Sequence, residues 1–305
     1  GKAHLVNYGQ VSLAKLGSKG APEGHSYESE LVLYLQALLK KLSPKTKSAM
    51  VSMPAFIGLI SLIDFPEMAE NELEEAVQYE AKRYIPSALE DIALSWEVVG
   101  IRPDAEGKPR QEILVVAAMK KEVERYRGYV EGADFKMEFL ELETFSMVRA
   151  LAWQKEGLVM VIDIGARATN LILVEHGVVR VSRNLDAGGN DVTRTIMESL
   201  SISAERAEAL KKSGQDFLND PASAIVFPSI DMIAGEAYRM VETYKKKYPE
   251  LDCQEVILSG GTASFTGLVQ YYQKQFGVTV AKGDPWSHIE YPESQKADIE
   301  VLGTS

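Results

Sequence analysis

Three glycine-bearing turns in the second half of the chain carry residue types suited to holding a phosphorylated ligand. The first is Asp163-Ile164-Gly165-Ala166-Arg167-Ala168-Thr169-Asn170, which joins two apolar runs. A strand end there delivers a carboxylate, glycine lets backbone N–H groups approach an anion, and Arg167 and Thr169 add donors. The same pattern also serves as a tight hairpin with no ligand. The second is Ala187-Gly188-Gly189-Asn190-Asp191, before a helical pattern. Two glycines at a helix entrance suit a bound anion or a sharp turn. The third is Ser259-Gly260-Gly261-Thr262-Ala263-Ser264, between the strand-like Glu255–Leu258 and a helix at Phe265–Phe276. Its backbone can lie flat against a base or ribose, or simply turn the chain. Glu208 and Lys211, three apart on the helical stretch Ala204–Lys212, share a face. They read as a surface ion pair or as the polar wall of an adenosine pocket. The order and spacing of these features are more specific than any one of them.

The elements that position them follow from periodicity. Leu158–Ile164 (LVMVIDI) is a buried strand, with Leu171–Val174 and Val178–Arg183 after it. A helix from about Asn190 to Leu200 completes a β-β-β-α unit. A further helix spans about Ile230–Lys247, and Val278–Ala281 makes a short last strand. Upstream, His4–Ala14 alternates and reads as a strand, Glu28–Leu42 as a helix and Ala49–Met53 as a strand. Phe56–Gly132 reads as strand, helix, strand, strand, helix. Its first helix, Asn71–Ile85, takes Asn71 as a cap, and the hairpin strands are Ala93–Arg102 and Glu112–Met119. Lys136–Glu141 and Thr144–Lys155 then form a strand and a helix, with Glu141 and Glu143 placed to orient a water or to be solvated.

Bulk properties narrow the classes. With 305 residues and 46% hydrophobic content, the chain has room for two domains. Its net charge of −11 opposes a broad nucleic-acid footprint, which needs clustered positive charge, and opposes direct binding to anionic lipid. Lys245-Lys246-Lys247 reads as a solvated helix end. The single Cys253 reads as a buried structural thiol in a reducing compartment. No run of ~18 apolar residues predicts a membrane span. The opening Gly1-Lys2-Ala3-His4 lacks an initiator Met and reads as a piece cut from something longer.

These stretches together resemble the actin-like ATPase superfamily, which includes actin, sugar kinases, DnaK-type chaperones, FtsA and PilM. The likeness is nearest to the PilM family of type IV pilus assembly. Met53-Pro54, Leu62–Pro66, the helix Glu72–Ile85 with Pro86, Glu141–Leu151, DIGARATNL and SGGTASFTGL carry it, from about Leu5 to Pro292. The resemblance implies a two-lobed α/β fold with ribonuclease H-like cores and a small inserted α+β subdomain. It divides the chain into 1–55 with 133–156 (first lobe), 56–132 (insert) and 157–305 (second lobe, with a helical part at about 201–250). It implies ATP or ADP with Mg²⁺ held by Asp163, Gly165, Ala166, Arg167, Thr169, Asn170, Gly188, Gly189, Asp191, Glu208, Lys211, Gly260, Gly261 and Thr262, Asp163 acting on the metal through water. Residues Lys2–Ala14 would be the third strand of the first sheet, with the family's first phosphate loop upstream of this sequence.

The resemblance further implies a structural role: a cytoplasmic scaffold at the inner membrane face. It would capture the N-terminal tail of the membrane protein PilN beside Tyr79, Arg83, Tyr84 and Ile85, with self-association in a ring a further expectation. The alternatives are an ATPase or sugar-kinase-like enzyme, an FtsA-like division protein, and a DnaK-like chaperone, which would need a peptide-binding domain.

Overall fold

The computed structural model describes residues 3–11, 13, 27–84, 89–104, 106–296 and 299. In chain order the elements are β1 (Ala3–His4), α1 (Tyr27–Leu42), β2 (Ser48–Met53), β3 (Gly58–Pro66), α2 (Glu70–Tyr84), β4 (Ile92–Pro103), β5 (Pro109–Met119), α3 (Lys120–Gly132), β6 (Lys136–Leu142) and α4 (Glu143–Leu151). They continue with β7 (Leu158–Ile164), β8 (Thr169–Glu175), β9 (Val178–Leu185), α5 (Gly189–Leu200), α6 (Ala204–Lys211), α7 (Pro228–Lys247), β10 (Cys253–Ser259), α8 (Leu268–Phe276), β11 (Thr279–Lys282) and β12 (Ile289–Glu290).

The run LVMVIDI is apolar throughout because β7 is central and covered on both faces. It lies in a five-stranded sheet of order β11-β10-β7-β8-β9, parallel to β10 and antiparallel to β8. Alternation divides its side chains. Leu158, Met160, Ile162 and Ile164 face a core shared with α5, α7 and α8, where Val192, Ile196, Ile233 and Leu268 are buried. Val159 and Val161 face the other way, toward Val148 and Ala152 at the α4 end and Ile60 of β3. Pro228 opens α7 in the first helical turn, and Gly277, left-handed at φ 68°, closes α8.

Two smaller sheets precede this one. β2 and β6 pair in parallel, and α3 packs on this pair and on α1, where the Gln36 amide donates to the Gly132 carbonyl at 2.8 Å. β3, β5 and β4 form an antiparallel sheet in that order. On one face α2 buries Leu73 and Val77 against Ile63, Ile113 and Val115. On the other, β3 meets β9.

Two expectations change. Among the described residues of the strand expected over His4–Ala14, which exclude 12 and 14, strand is confined to β1, which pairs with β12 rather than joining β2 and β6. Alternation suggests a strand only where a partner satisfies the backbone. Here the next residues lie against the end of α1, where the Asn7 amide donates to the Leu42 carbonyl at 3.1 Å. Asn71 does not cap α2 either. The helix starts at Glu70, and the Leu73 amide donates to the Ala69 carbonyl, so Asn71 lies within the first turn.

Candidate functional site

The three glycine turns meet at one end of the five-stranded sheet. The first closes the β7–β8 hairpin, where the Gly165 amide donates to the Ala168 carbonyl at 3.0 Å. The carbonyls of Gly165 and Ala166 point at α5 and accept from the Gly189 and Asn190 amides at 2.9 and 2.8 Å. The first amides of α5 are therefore engaged by the hairpin. A side chain at Gly188 would stand 2.6 Å from the Gly165 carbonyl oxygen and 2.9 Å from that of Ala166, so glycine here permits the close approach. Asp191 closes the turn by accepting from the Gly188 amide at 2.9 Å, and it pairs with Arg194.

The third turn stacks on the first two. Gly260 has φ 82°, and a Cβ there would lie 2.5 Å from the Ile164 carbonyl oxygen. Both constraints require glycine. Residues Gly261–Ser264 form a single 3-10 turn, and the Thr262 hydroxyl donates to the Gly165 carbonyl at 3.4 Å. A side chain on Gly189 would come within 2.4 Å of that hydroxyl oxygen.

Across from these turns stands a polar wall. Lys211 and Lys212 contact the Glu208 carboxylate at 2.7 and 3.0 Å. Thr193 donates to Glu208 at 2.6 Å and accepts from Lys211 at 2.8 Å, while Lys211 also donates to the Gly189 carbonyl at 3.1 Å. Burial pushes the Glu208 carboxyl up, but the bonds from Lys211, Thr193 and Lys212 outweigh it and hold it at about 2. Thr193 is absent from the sequence-derived set. Its signal was its place one helical turn beyond Gly189 on the α5 face that Lys211 meets. Between wall and turns lies a cavity of about 680 Å³, bordered by Ala166, Gly189, Asn190, Glu208, Lys211, Gly261, Thr262 and Phe265. That volume falls within the range of small-molecule sites.

The chain matches the family model for type IV pilus assembly protein PilM over residues 24–302. It belongs to the PilM family. It is similar to a solved PilM–PilN type IV pilus biogenesis complex, at 22% identity and TM-score 0.76, covering 93% of this chain and 85% of that one. The likeness places the PilM-family chain in the two-lobed actin-like fold, here mixed α/β. Among curated relatives it resembles the cell division protein FtsA of Neisseria meningitidis serogroup B, 23% identical over 198 residues (56% of this chain, 47% of that protein). FtsA of Streptococcus pneumoniae serotype 2 is 24% identical over 229 residues (68% and 49%). The chain spans about half the length of these curated relatives.

In this PilM-family chain the remaining predicted residues fall in three places. Thr169 and Asn170 are buried, and they brace the hairpin rather than face the cavity. Thr169 donates to the Ala187 carbonyl at 2.7 Å, and the Asn170 amide donates to Thr144 of α4 at 3.0 Å. Arg167 is exposed at the hairpin tip. Asp163 sits behind Gly260. Burial and the neighbouring negative charge of Glu143 raise its carboxyl to about 6, against a lowering bond from Ser259. Glu143 is itself fixed by accepting the Ala55 amide at 2.9 Å. A buried carboxylate facing a second one suits a nearby cation. Among the described residues no three His, Cys, Asp or Glu side chains converge to ligate a metal directly. Tyr79 is 72% exposed on α2, and Arg83, one turn on, is exposed and pairs with Glu80. Tyr84 ends the helix, and Ile85 lies outside the described residues.

Proposed function

We propose that this type IV pilus assembly protein is a nucleotide-binding scaffold whose cleft holds ATP or ADP with Mg²⁺. The observation that carries the reading is the juxtaposition of three interlocked glycine turns with the Glu208/Lys211 wall across a cavity of about 680 Å³. Gly260, Gly261 and Thr262 would lie against the nucleoside, with Glu208 and Lys211 toward its ribose and base. Gly165, Ala166 and Arg167 would border the phosphates, while Thr169, Asn170, Gly188, Gly189 and Asp191 hold that loop in shape. Asp163 would act through metal-bound water, and the metal would supply the charge that its buried carboxylate lacks. Calorimetric titration with ATP and Mg²⁺ tests the reading, with loss of heat expected in Gly260→Ala. A full heat signal in that variant overturns it.

The partner in this reading is the N-terminal tail of PilN, supported by the likeness to the PilM–PilN complex. The tail would pass between the first lobe (1–55 and 133–156) and the insert (56–132), beside Tyr79, Arg83, Tyr84 and Ile85. An exposed tyrosine and arginine one helical turn apart offer an anchor and a charge to an extended peptide. Recruitment to the cytoplasmic face of the membrane then runs through that partner, and no helix among the described residues is long and apolar enough to cross a bilayer. Titration with a PilN tail peptide tests this. Heat abolished by Tyr79→Ala with Arg83→Ala supports the placement, and unchanged heat excludes it.

A further inference from the structure

Far from the cleft, four charged side chains meet where the antiparallel sheet touches the second lobe. Arg102 of β4 and Glu112 of β5 come from one side, Glu175 of β8 and Arg180 of β9 from the other. Arg180 contacts Glu112 at 2.7 Å and Glu175 at 2.9 Å, while Arg102 contacts Glu175 at 2.6 Å and Glu112 at 3.2 Å. The signs alternate round the ring, and the group is neutral. Its side chains are 3–6% exposed, apart from Arg102 at 22%. Gly100, at a bulge of β4, leaves room for Glu112: a Cβ there would come within 3.1 Å of its carboxylate. Tyr244 of α7 donates to Glu175 at 3.0 Å, Arg102 lies over the Tyr248 ring, and Lys247 pairs with Asp64 of β3 at 2.7 Å.

Charges so deeply buried are costly to the fold unless each has its partner. Ionic contacts of this depth weigh against any other seating of one sheet on the other, since displacement would break Arg180–Glu112 and Arg102–Glu175 and leave each of the four charges one partner short. Glu175 ends the same strand that begins with Thr169 and Asn170 under the cleft hairpin. Seven extended residues span about 20 Å, so a single strand joins the two places.

We infer that Arg102, Glu112, Glu175 and Arg180 form a latch that seats the antiparallel sheet on the second lobe and ties its position, through β8, to occupancy of the cleft. The tie to occupancy rests on the nucleotide reading; the latch does not.

Hydrogen exchange on the full chain, with and without ATP and Mg²⁺, separates the two. Arg180→Met leaves Glu112 and Glu175 short of a partner. Without nucleotide, exchange at 92–119 rises roughly a hundredfold and at 158–164 much less. Equal rises in both regions, or none at 92–119, overturn the latch. Glu112→Leu combined with Arg180→Met removes two opposite charges together and keeps the fold measurable where the single variant fails. In the unaltered chain, ATP and Mg²⁺ slow exchange at 163–170 and also at 92–119, and in the double variant at 163–170 only. Slowing that never reaches 92–119 in the unaltered chain overturns the coupling. If ATP slows nothing, the nucleotide reading falls and the coupling with it, while the nucleotide-free comparison still decides the latch.

Discussion

The cleft and the junction between the sheets are both built from polar groups, but they satisfy them in opposite ways. At the junction, side chains from four strands offset one another's charge, three of them almost fully buried and Arg102 22% exposed beside a cavity. At the cleft, glycine carbonyls and amides satisfy one another locally, and the charged wall of Glu208 and Lys211 stays beside an open cavity. A network of mutually paired charges fixes a geometry, and a cavity of about 750 Å³ borders this one at Arg102 and Glu175. An open network keeps donors and acceptors for an occupant. In the proposed function the junction seats the sheet and the cleft binds the nucleotide, and substitutions should separate the two.

The largest effect is expected at the junction. Arg180→Met should cost about 3–5 kcal/mol in urea unfolding, because Glu112 and Glu175 stay buried with one partner fewer. The double change with Glu112→Leu should recover most of that. A double variant as unstable as the sum of both singles would mean that the charges are not coupled. Next comes Gly260→Ala, which meets an unfavourable φ and a carbonyl oxygen 2.5 Å from the new carbon. It should cost about 2–3 kcal/mol in thermal unfolding. Nucleotide binding should vanish with it, whereas the junction variants should still bind. Binding lost in both sets would collapse the distinction.

The two regions also differ in how legible they are in sequence. The cleft sheet reads directly: LVMVIDI predicts Leu158–Ile164, where β7 lies, because a strand covered on both faces is apolar at every position. The Gly-Gly pairs mark tight approaches that few other residues allow. The junction does not read, because its four charges are 10, 63 and 5 residues apart along the chain and a charged residue in a strand reads as solvated. The signal was faint but present. Arg180 interrupts VVRVS, Glu112 heads ILVVAA, and Glu175 ends LILV. Each is a charge inside an otherwise buried pattern, and such charges need partners. Over its described residues the strand expected at His4–Ala14 failed for the converse reason, since alternation says which face is apolar but not whether a neighbouring strand exists.

Asp163 sharpens the comparison through pH. Its carboxyl is raised to about 6 from an ordinary 3.8, so the folded chain holds an extra proton between those values. Its contribution to stability is therefore lost as pH rises from about 4 to 6, the opposite of a paired carboxylate such as Glu175, which Arg102 and Arg180 hold low against its burial. Asp163→Asn should be more stable than the unaltered chain at pH 7.5 by about 1–3 kcal/mol and equal to it near pH 4 in urea titrations. A variant less stable at pH 7.5 would show that the charge is not a burden.

The smallest effect on stability, and the most telling for the cleft, is expected of Lys211→Met. Lys211 holds Glu208, Thr193 and the Gly189 carbonyl together, yet Glu208 keeps Thr193 and Lys212 without it. With Glu208 38% exposed and still paired to Lys212, the Lys211 contact is worth about 1 kcal/mol to the fold. Nucleotide affinity should fall about tenfold, since the wall then carries Glu208 without the cation that fixes its position. Arg180→Met inverts that ratio, with a large loss of stability and little loss of nucleotide affinity. If Lys211→Met left affinity untouched while costing several kcal/mol, the wall would be a seating network like the junction, and the cavity beside it would have to bind by its glycine turns alone.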